Sequence, residues 1–188
     1  MGPMKATQLI LNPRFADNAN TWSPSSYQAT DNPTLSVRDV NLVISRTSDA
    51  GQQWALTRFA TKPGKEYVVA VVSVSFEGEF LNGRSVAVTD KQNTSVIGAL
   101  GGVAHGMNSF RFTASEDEAN LRLYASSGAE TMWKEPMVVA SDEWEWLQSG
   151  NIDYFDYSLM PDPRGGGGIR PSPVAAHAVR RSFWGLAS

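Results

Sequence analysis

The chain has 188 residues, a net charge of −3, 41% hydrophobic and 19% charged content, no cysteine and two histidines, His105 and His177. This composition fits one domain with short extensions and excludes global disorder, disulfide frameworks, thiolate sites and multi-histidine metal sites. It gives no general attraction to nucleic acid or anionic membrane.

No apolar run approaches the roughly 20 residues that cross a bilayer. The opening Met1-Gly2-Pro3-Met4-Lys5 lacks the apolar core of a signal peptide, so Sec export is not expected. Residues 8–11 read as a short first strand ended by Asn12-Pro13, because proline removes a donor and restricts the residue before it. Phe15 and Trp22 flank a polar loop that reads as an anchored surface turn. Leu35/Val37 and Leu42/Ile44 alternate in two short strands split by Arg38-Asp39. Residues 53–59 form another strand, led by Trp54. Thr61-Lys62-Pro63-Gly64-Lys65 is a turn. Residues 66–76 follow as the longest strand; Tyr67 to Val72 is continuously apolar, as in a strand buried on both faces. Gly78 and Asn82-Gly83 end it, and residues 84–89 make the next strand. The glycine-rich stretch 97–107 lacks the lysine of a phosphate loop and reads as a mobile connection.

Residues 109–139 hold three further runs. Phe110 and Phe112 alternate with polar residues, as do Leu121, Leu123 and Ala125; the third run closes on Met137-Val138-Val139. Short polar turns join them, which predicts an antiparallel meander. Beyond residue 140 the character changes. Residues 141–163 are acidic and aromatic. Gly165 to Gly168 form a flexible joint, and residues 164–188 carry four arginines and no acid. Ser172-Pro173 suits a helix start, so a short terminal helix to about Trp184 is expected. Val179, Arg180, Arg181, Phe183, Trp184 and Leu186 are its candidate partner-docking residues. A disordered tail and an intramolecular clasp are the competing readings. The expected fold is an all-β jelly-roll sandwich over residues 1–140 with an extended C-terminal segment.

Catalytic sets are missing. The carboxylates fall in polar turns or in the acidic stretch, and neither histidine accompanies a nucleophile elbow. No enzymatic activity is expected. Sugar rings stack on aromatic faces, so the candidate glycan contacts are Tyr124, which shares a strand face with Arg122, and also Trp54 and Trp133. Each of these rings could instead be packed into the structure.

Two sets of phrases resemble known proteins. Leu9-Ile10-Leu11-Asn12-Pro13-Arg14-Phe15 followed by Trp22, then Pro63-Gly64-Lys65-Glu66-Tyr67, Phe110-Arg111-Phe112-Thr113-Ala114 and Leu121-Arg122-Leu123-Tyr124, resemble carbohydrate-binding-module-like β-jelly rolls. Trp133-Lys134-Glu135-Pro136-Met137-Val138-Val139 followed by Asp153-Tyr154-Phe155-Asp156 resembles minor tail proteins of tailed phages. The resemblance covers about residues 8–160 and does not extend to the terminal piece. It implies a non-enzymatic virion component, a minor tail or fibre-like protein assembled in the host cytoplasm. Its implied partners are other virion proteins, copies of itself and a host-surface glycan. A free-standing carbohydrate-binding module and a head decoration or head-fibre protein are the alternatives. No cofactor is expected. Jelly rolls of this kind often hold a structural calcium ion, for which the sequence fixes no ligands.

Overall fold

The structure, a computed structural model, describes residues 8–11, 13, 15 and 18–149. Within them run β1 (Ser23–Tyr27), β2 (Thr34–Arg38), β3 (Asn41–Ser45), β4 (Gln52–Ala60), β5 (Glu66–Phe76), β6 (Val86–Thr89), β7 (Val96–Leu100), β8 (Gly106–Thr113), β9 (Glu118–Tyr124), β10 (Glu130–Ala140) and the helix α1 (Ser141–Ser149). The strands form two five-stranded antiparallel sheets. The first has the order β1-β4-β9-β6-β7 and the second β2-β3-β10-β5-β8. This is the expected all-β jelly-roll sandwich.

The core lies between the sheets. Alternation puts Leu121 and Leu123 of β9, Val86 and Val88 of β6, Val69 and Val71 of β5 and Phe112 of β8 into it. Phe112 stacks on Tyr67 at 5.6 Å and meets Phe59 edge-on at 6.1 Å. The Tyr67 hydroxyl accepts from the Lys62 amide at 2.9 Å, which fastens the Pro63-Gly64 turn to the strand it launches.

The inner strands of the second sheet, β3, β5 and β10, are buried on their outer face too. Val43, Val68, Ala70, Met137 and Val139 occupy the positions alternate to the core residues, and all are buried. Helix α1 packs against β5 and β10 on this side and buries Leu147. Arg111 holds Glu66 at 2.8 Å and Glu145 of the helix at 3.3 Å. Asp142 and Glu143 sit in the first turn, the favourable end for acids.

Four expectations change. The meander does not form, since β8 and β10 belong to the second sheet, where β5 separates them, and β9 belongs to the first. Residues 8–11 are not a strand. There the Gln8 side chain accepts from Val138 N at 2.8 Å and donates to Pro136 O at 3.1 Å, replacing part of a backbone ladder. The glycine-rich stretch is mostly strand, β7 and the start of β8. Gly98 is required by close approach, as a Cβ there would lie 2.6 Å from the Cβ of Phe112. The acidic stretch after residue 140 opens as helix α1. The Tyr154-Phe155 phrase, the glycine joint and the docking residues Val179, Arg180, Arg181, Phe183, Trp184 and Leu186 lie outside the described residues.

The β2–β3 hairpin turns on Asp39 and Val40, both left-handed at φ 50° and 59°. Two such residues suit the twist of a two-residue hairpin loop, but a β-branched side chain is strained there. Val40 is 52% exposed, so its side chain contributes little burial in return. Val40→Gly should therefore stabilise the fold by about 1 kcal/mol, the left-handed penalty less glycine's entropy. A thermal melt should rise by roughly 2–4 °C.

Candidate functional site

The outer face of the second sheet is buried over β5 and β10 but exposed at Ser36, Arg38, Ser109 and Arg111 of its edge strands; the outer face of the first sheet carries the residues expected to meet a sugar. Strand parity selects what stands on it. In β4 the core takes Ala55 and Phe59 and leaves Trp54, Leu56 and Arg58 outside; in β9 it takes Leu121 and Leu123 and leaves Asn120, Arg122 and Tyr124 outside. The register sets Trp54 opposite Tyr124, Leu56 opposite Arg122 and Arg58 opposite Asn120. Side chains directly opposite on one face are in contact range.

Three of the four residues expected to meet a sugar thus come together. The Trp54 and Tyr124 rings lie 5.4 Å apart, tilted by 52°. The Arg122 guanidinium covers the Trp54 ring at 4.4 Å. Its Nη1 donates to the Tyr124 hydroxyl at 3.1 Å. Its Nε donates to Asn93 Oδ1 at 2.7 Å and its Nη2 to Asn93 O at 2.6 Å. Asn93 sits in the β6–β7 loop with φ 61°, a conformation asparagine tolerates better than most residues.

That loop is itself held by charge. Asp90 accepts from the Thr94 amide at 2.6 Å, the Thr94 hydroxyl at 2.7 Å and the Ser95 amide at 3.0 Å. Burial pushes the Asp90 carboxyl up, but these bonds outweigh it and hold its pKa below the usual range. Lys91 pairs with Asp117 at 3.1 Å and Glu118 at 3.0 Å. Hydrogen bonds that Lys91 donates to Glu118 and Asp117 raise its pKa, while Lys91 lowers that of Asp117.

Convergence does not make these rings available. Tyr124 is 2% exposed and Trp54 3%, so they form a floor beneath Arg122. Trp133 points into the core between the sheets and is fully buried, its Nε1 donating to Tyr124 O at 3.1 Å. It offers no ring face to a ligand. The accessible ring on this face is Tyr27, 58% exposed. It stands opposite Gln52, and Ser25 stands opposite Trp54, so Tyr27 shares the face with Arg122. Sequence reasoning passed over Tyr27 because Ser-Pro-Ser-Ser-Tyr shows no apolar alternation; its signal is an aromatic closing a serine-rich run. An open strip results, with Tyr27 and Gln52 at one end, Leu56 midway and Arg58 at the other. A separate polar cleft of about 340 Å³, lined by Arg46, Ser48, Asp49 and Ser127 among others, has no aromatic wall, and Arg46 is engaged by Ser126 O and Ser48 O.

Solved structures share this architecture. A CBM4 module aligns over 70% of this chain and 99% of its own, with TM-score 0.50 and 13% identity. The fold is a carbohydrate-binding-module-like jelly roll. The apo BiXyn10A CBM1 module aligns over 73% of this chain and all of its own, with TM-score 0.51 and 16% identity. The enzymatically active domain of bacteriophage CBA120 tailspike protein 4 aligns over 70% of this chain at TM-score 0.51 and 14% identity, and this chain spans about a fifth, 21%, of that structure. No protein-family model and no curated protein sequence matches the chain. No group of three or more acidic or histidine side chains suited to a metal occurs among the described residues.

The lowered Asp90 pKa fixes the sign of an acid response. Its contribution is complete above the unfolded carboxylate range, about pH 4, and is lost as the pH falls through the lowered folded value. Protection of the Thr94 and Ser95 amides, relative to unstructured amides at the same pH, should hold from neutral pH to about 4 and fall below that range. Asp90→Asn should remove this protection at neutral pH and with it the acid dependence.

Proposed function

We propose that this chain is a non-catalytic, glycan-binding jelly roll of a phage virion, set in a minor tail or fibre-like protein. The observation that carries the glycan reading is the exposed Tyr27 ring at the end of a polar strip on an open sheet face. A flat aromatic surface flanked by hydroxyl and amide groups suits a sugar, which has an apolar C–H face and polar edges. The floor of Trp54, Tyr124 and Arg122 keeps that strip rigid rather than contacting the ligand through its rings.

The non-catalytic reading is supported by the state of the carboxylates. Glu66 and Glu130 are held by Arg111 and Arg38, Asp117 and Glu118 by Lys91, and Asp90 by its own turn. Each is engaged by a cation or by donors of its own turn, and none forms a facing pair of free carboxylates on the Tyr27 strip. The virion setting is supported by the phrase order around Trp133 to Asp156 and by the tailspike among the structures of similar fold. A free-standing binding module is the second reading. It is favoured by the near-complete coverage of the CBM4 and CBM1 modules, 99% and 100% of their chains.

Tyr27→Ala should weaken retention on host cell-wall polysaccharide by about tenfold, roughly 1.4 kcal/mol, with an unchanged melting temperature. Tyr124→Ala should instead lower stability by about 3 kcal/mol, as for a buried aromatic. Unchanged retention by Tyr27→Ala would reject the strip as the sugar site. Particles decide the setting. Mass spectrometry of purified virions should detect the chain, and its absence would favour the free-standing module. Residues 164–188 are proposed to dock on a partner chain. Their deletion should leave the melting temperature of the domain unchanged and prevent its incorporation into particles.

A further inference from the structure

We infer that the ligand of the first sheet's outer face is an anionic glycan, a polysaccharide bearing carboxylate or phosphate groups; this rests on the glycan reading above. Two arginines stand on that face without a carboxylate partner. Arg122 is half-buried, and its three hydrogen bonds go to neutral acceptors, the Asn93 carbonyl and side-chain oxygens and the Tyr124 hydroxyl. Arg58 bonds only Asn120 Oδ1 and Lys91 O, both at 3.4 Å.

The register makes this arrangement pointed. Arg58 lies opposite Asn120, two residues before Arg122 on the same face. The two cations are therefore diagonal neighbours, about 7–8 Å apart at the backbone, where like charges repel unless an anion lies between them. Of the nearby acids, Glu118 stands on this face opposite Ala60 but is paired with Lys91. Asp90 is committed to Thr94 and Ser95, Glu116 accepts from the Lys91 amide, and Asp117 and Glu118 hold the Lys91 ammonium.

Arg38, Lys65, Arg111 and Lys134 each have an acid within 4 Å. Arg46 also bonds only neutral acceptors, but it lies at the separate cleft and beside no second arginine. What sets this face apart is two such arginines as diagonal neighbours. A guanidinium has five N–H donors, so Arg122 keeps two and Arg58 three. The free N–H groups of the two guanidiniums are the complement of a ligand rich in anionic acceptors.

The test is retention of the full chain on polygalacturonate, on a glycerol-phosphate teichoic acid, and on neutral xylan and β-glucan. Binding to one or both anionic polymers is expected, and which one identifies carboxylate or phosphate as the source. It should weaken severalfold between about 0.05 and 0.5 M NaCl, as the Debye length shrinks. Arg58→Gln, an exposed change, should cost about threefold, and Arg122→Gln about tenfold. Arg58→Gln keeps the test open if Arg122→Gln unfolds. Preferential, salt-insensitive retention on a neutral polymer would overturn the anionic inference and leave the glycan reading intact. Failure to bind any of the four polymers would overturn the inference, while retention on host cell wall weakened by Tyr27→Ala would still uphold that reading.

Discussion

The structure depends on the pairing of β5 with β10. These are the two longest strands at 11 residues each, and both lie inside the second sheet with a neighbour on either side. Both are buried on both faces: Val69, Val71 and Val138 toward the core, Val68, Ala70, Met137 and Val139 away from it. Two central strands dry on both sides need cover, which α1 supplies through Leu147 and through the Arg111–Glu145 ion pair. The outer face of the second sheet is left wet only toward its edge strands β2 and β8.

The first sheet differs. Its outer face is neither a plain solvated surface nor a second core. It carries a small apolar patch, Trp54, Tyr124 and Ala87, roofed by a cation and a loop. Trp133 joins this patch to the core by donating through the sheet to Tyr124 O. A buried indole donor without that carbonyl would cost on the order of 1–3 kcal/mol. The same residue pair thus fixes the end of β9 from inside and the platform from outside. The β6–β7 loop completes the roof with side-chain bonds, so the charge of Arg122 is oriented without being neutralised.

Much of this was legible in the chain. The Tyr67 to Val72 run announced a strand buried twice, because an antiparallel strand with one wet face alternates and this one does not. Pro63-Gly64 marked its turn, and the parity of β9 put Tyr124 and Arg122 on the same face. What failed has physical causes. Period-two patterning says which residues share a face but not which strand pairs with which, so β8, β9 and β10 looked like a meander when they cross between sheets. Gly98 read as a loop signal because glycine's value there is close approach to Phe112, a long-range fact. Polar parity was equated with exposure at Tyr124 and Trp54, yet a neighbouring arginine side chain can cover a ring as well as a core can. Tyr27 escaped because edge strands need little hydrophobic pattern.

That edge explains where a ligand can lie. A sandwich has four edge strands, here β1 and β7 in one sheet and β2 and β8 in the other. On one side β7 and β8 pack together, allowed by Gly98, and the glycine-rich connection closes that flank. On the other side β1 contains Pro24, whose missing N–H is tolerated on an edge and discourages a further strand from adding there. The platform is therefore walled by the β6–β7 loop toward β7 and left open toward β1. A long polymer can enter from that flank and run along Tyr27, Leu56 and Arg58 without threading a closed pocket. An open strip of this kind suits the side of an extended chain. It does not suit a small ligand that needs most of its surface enclosed.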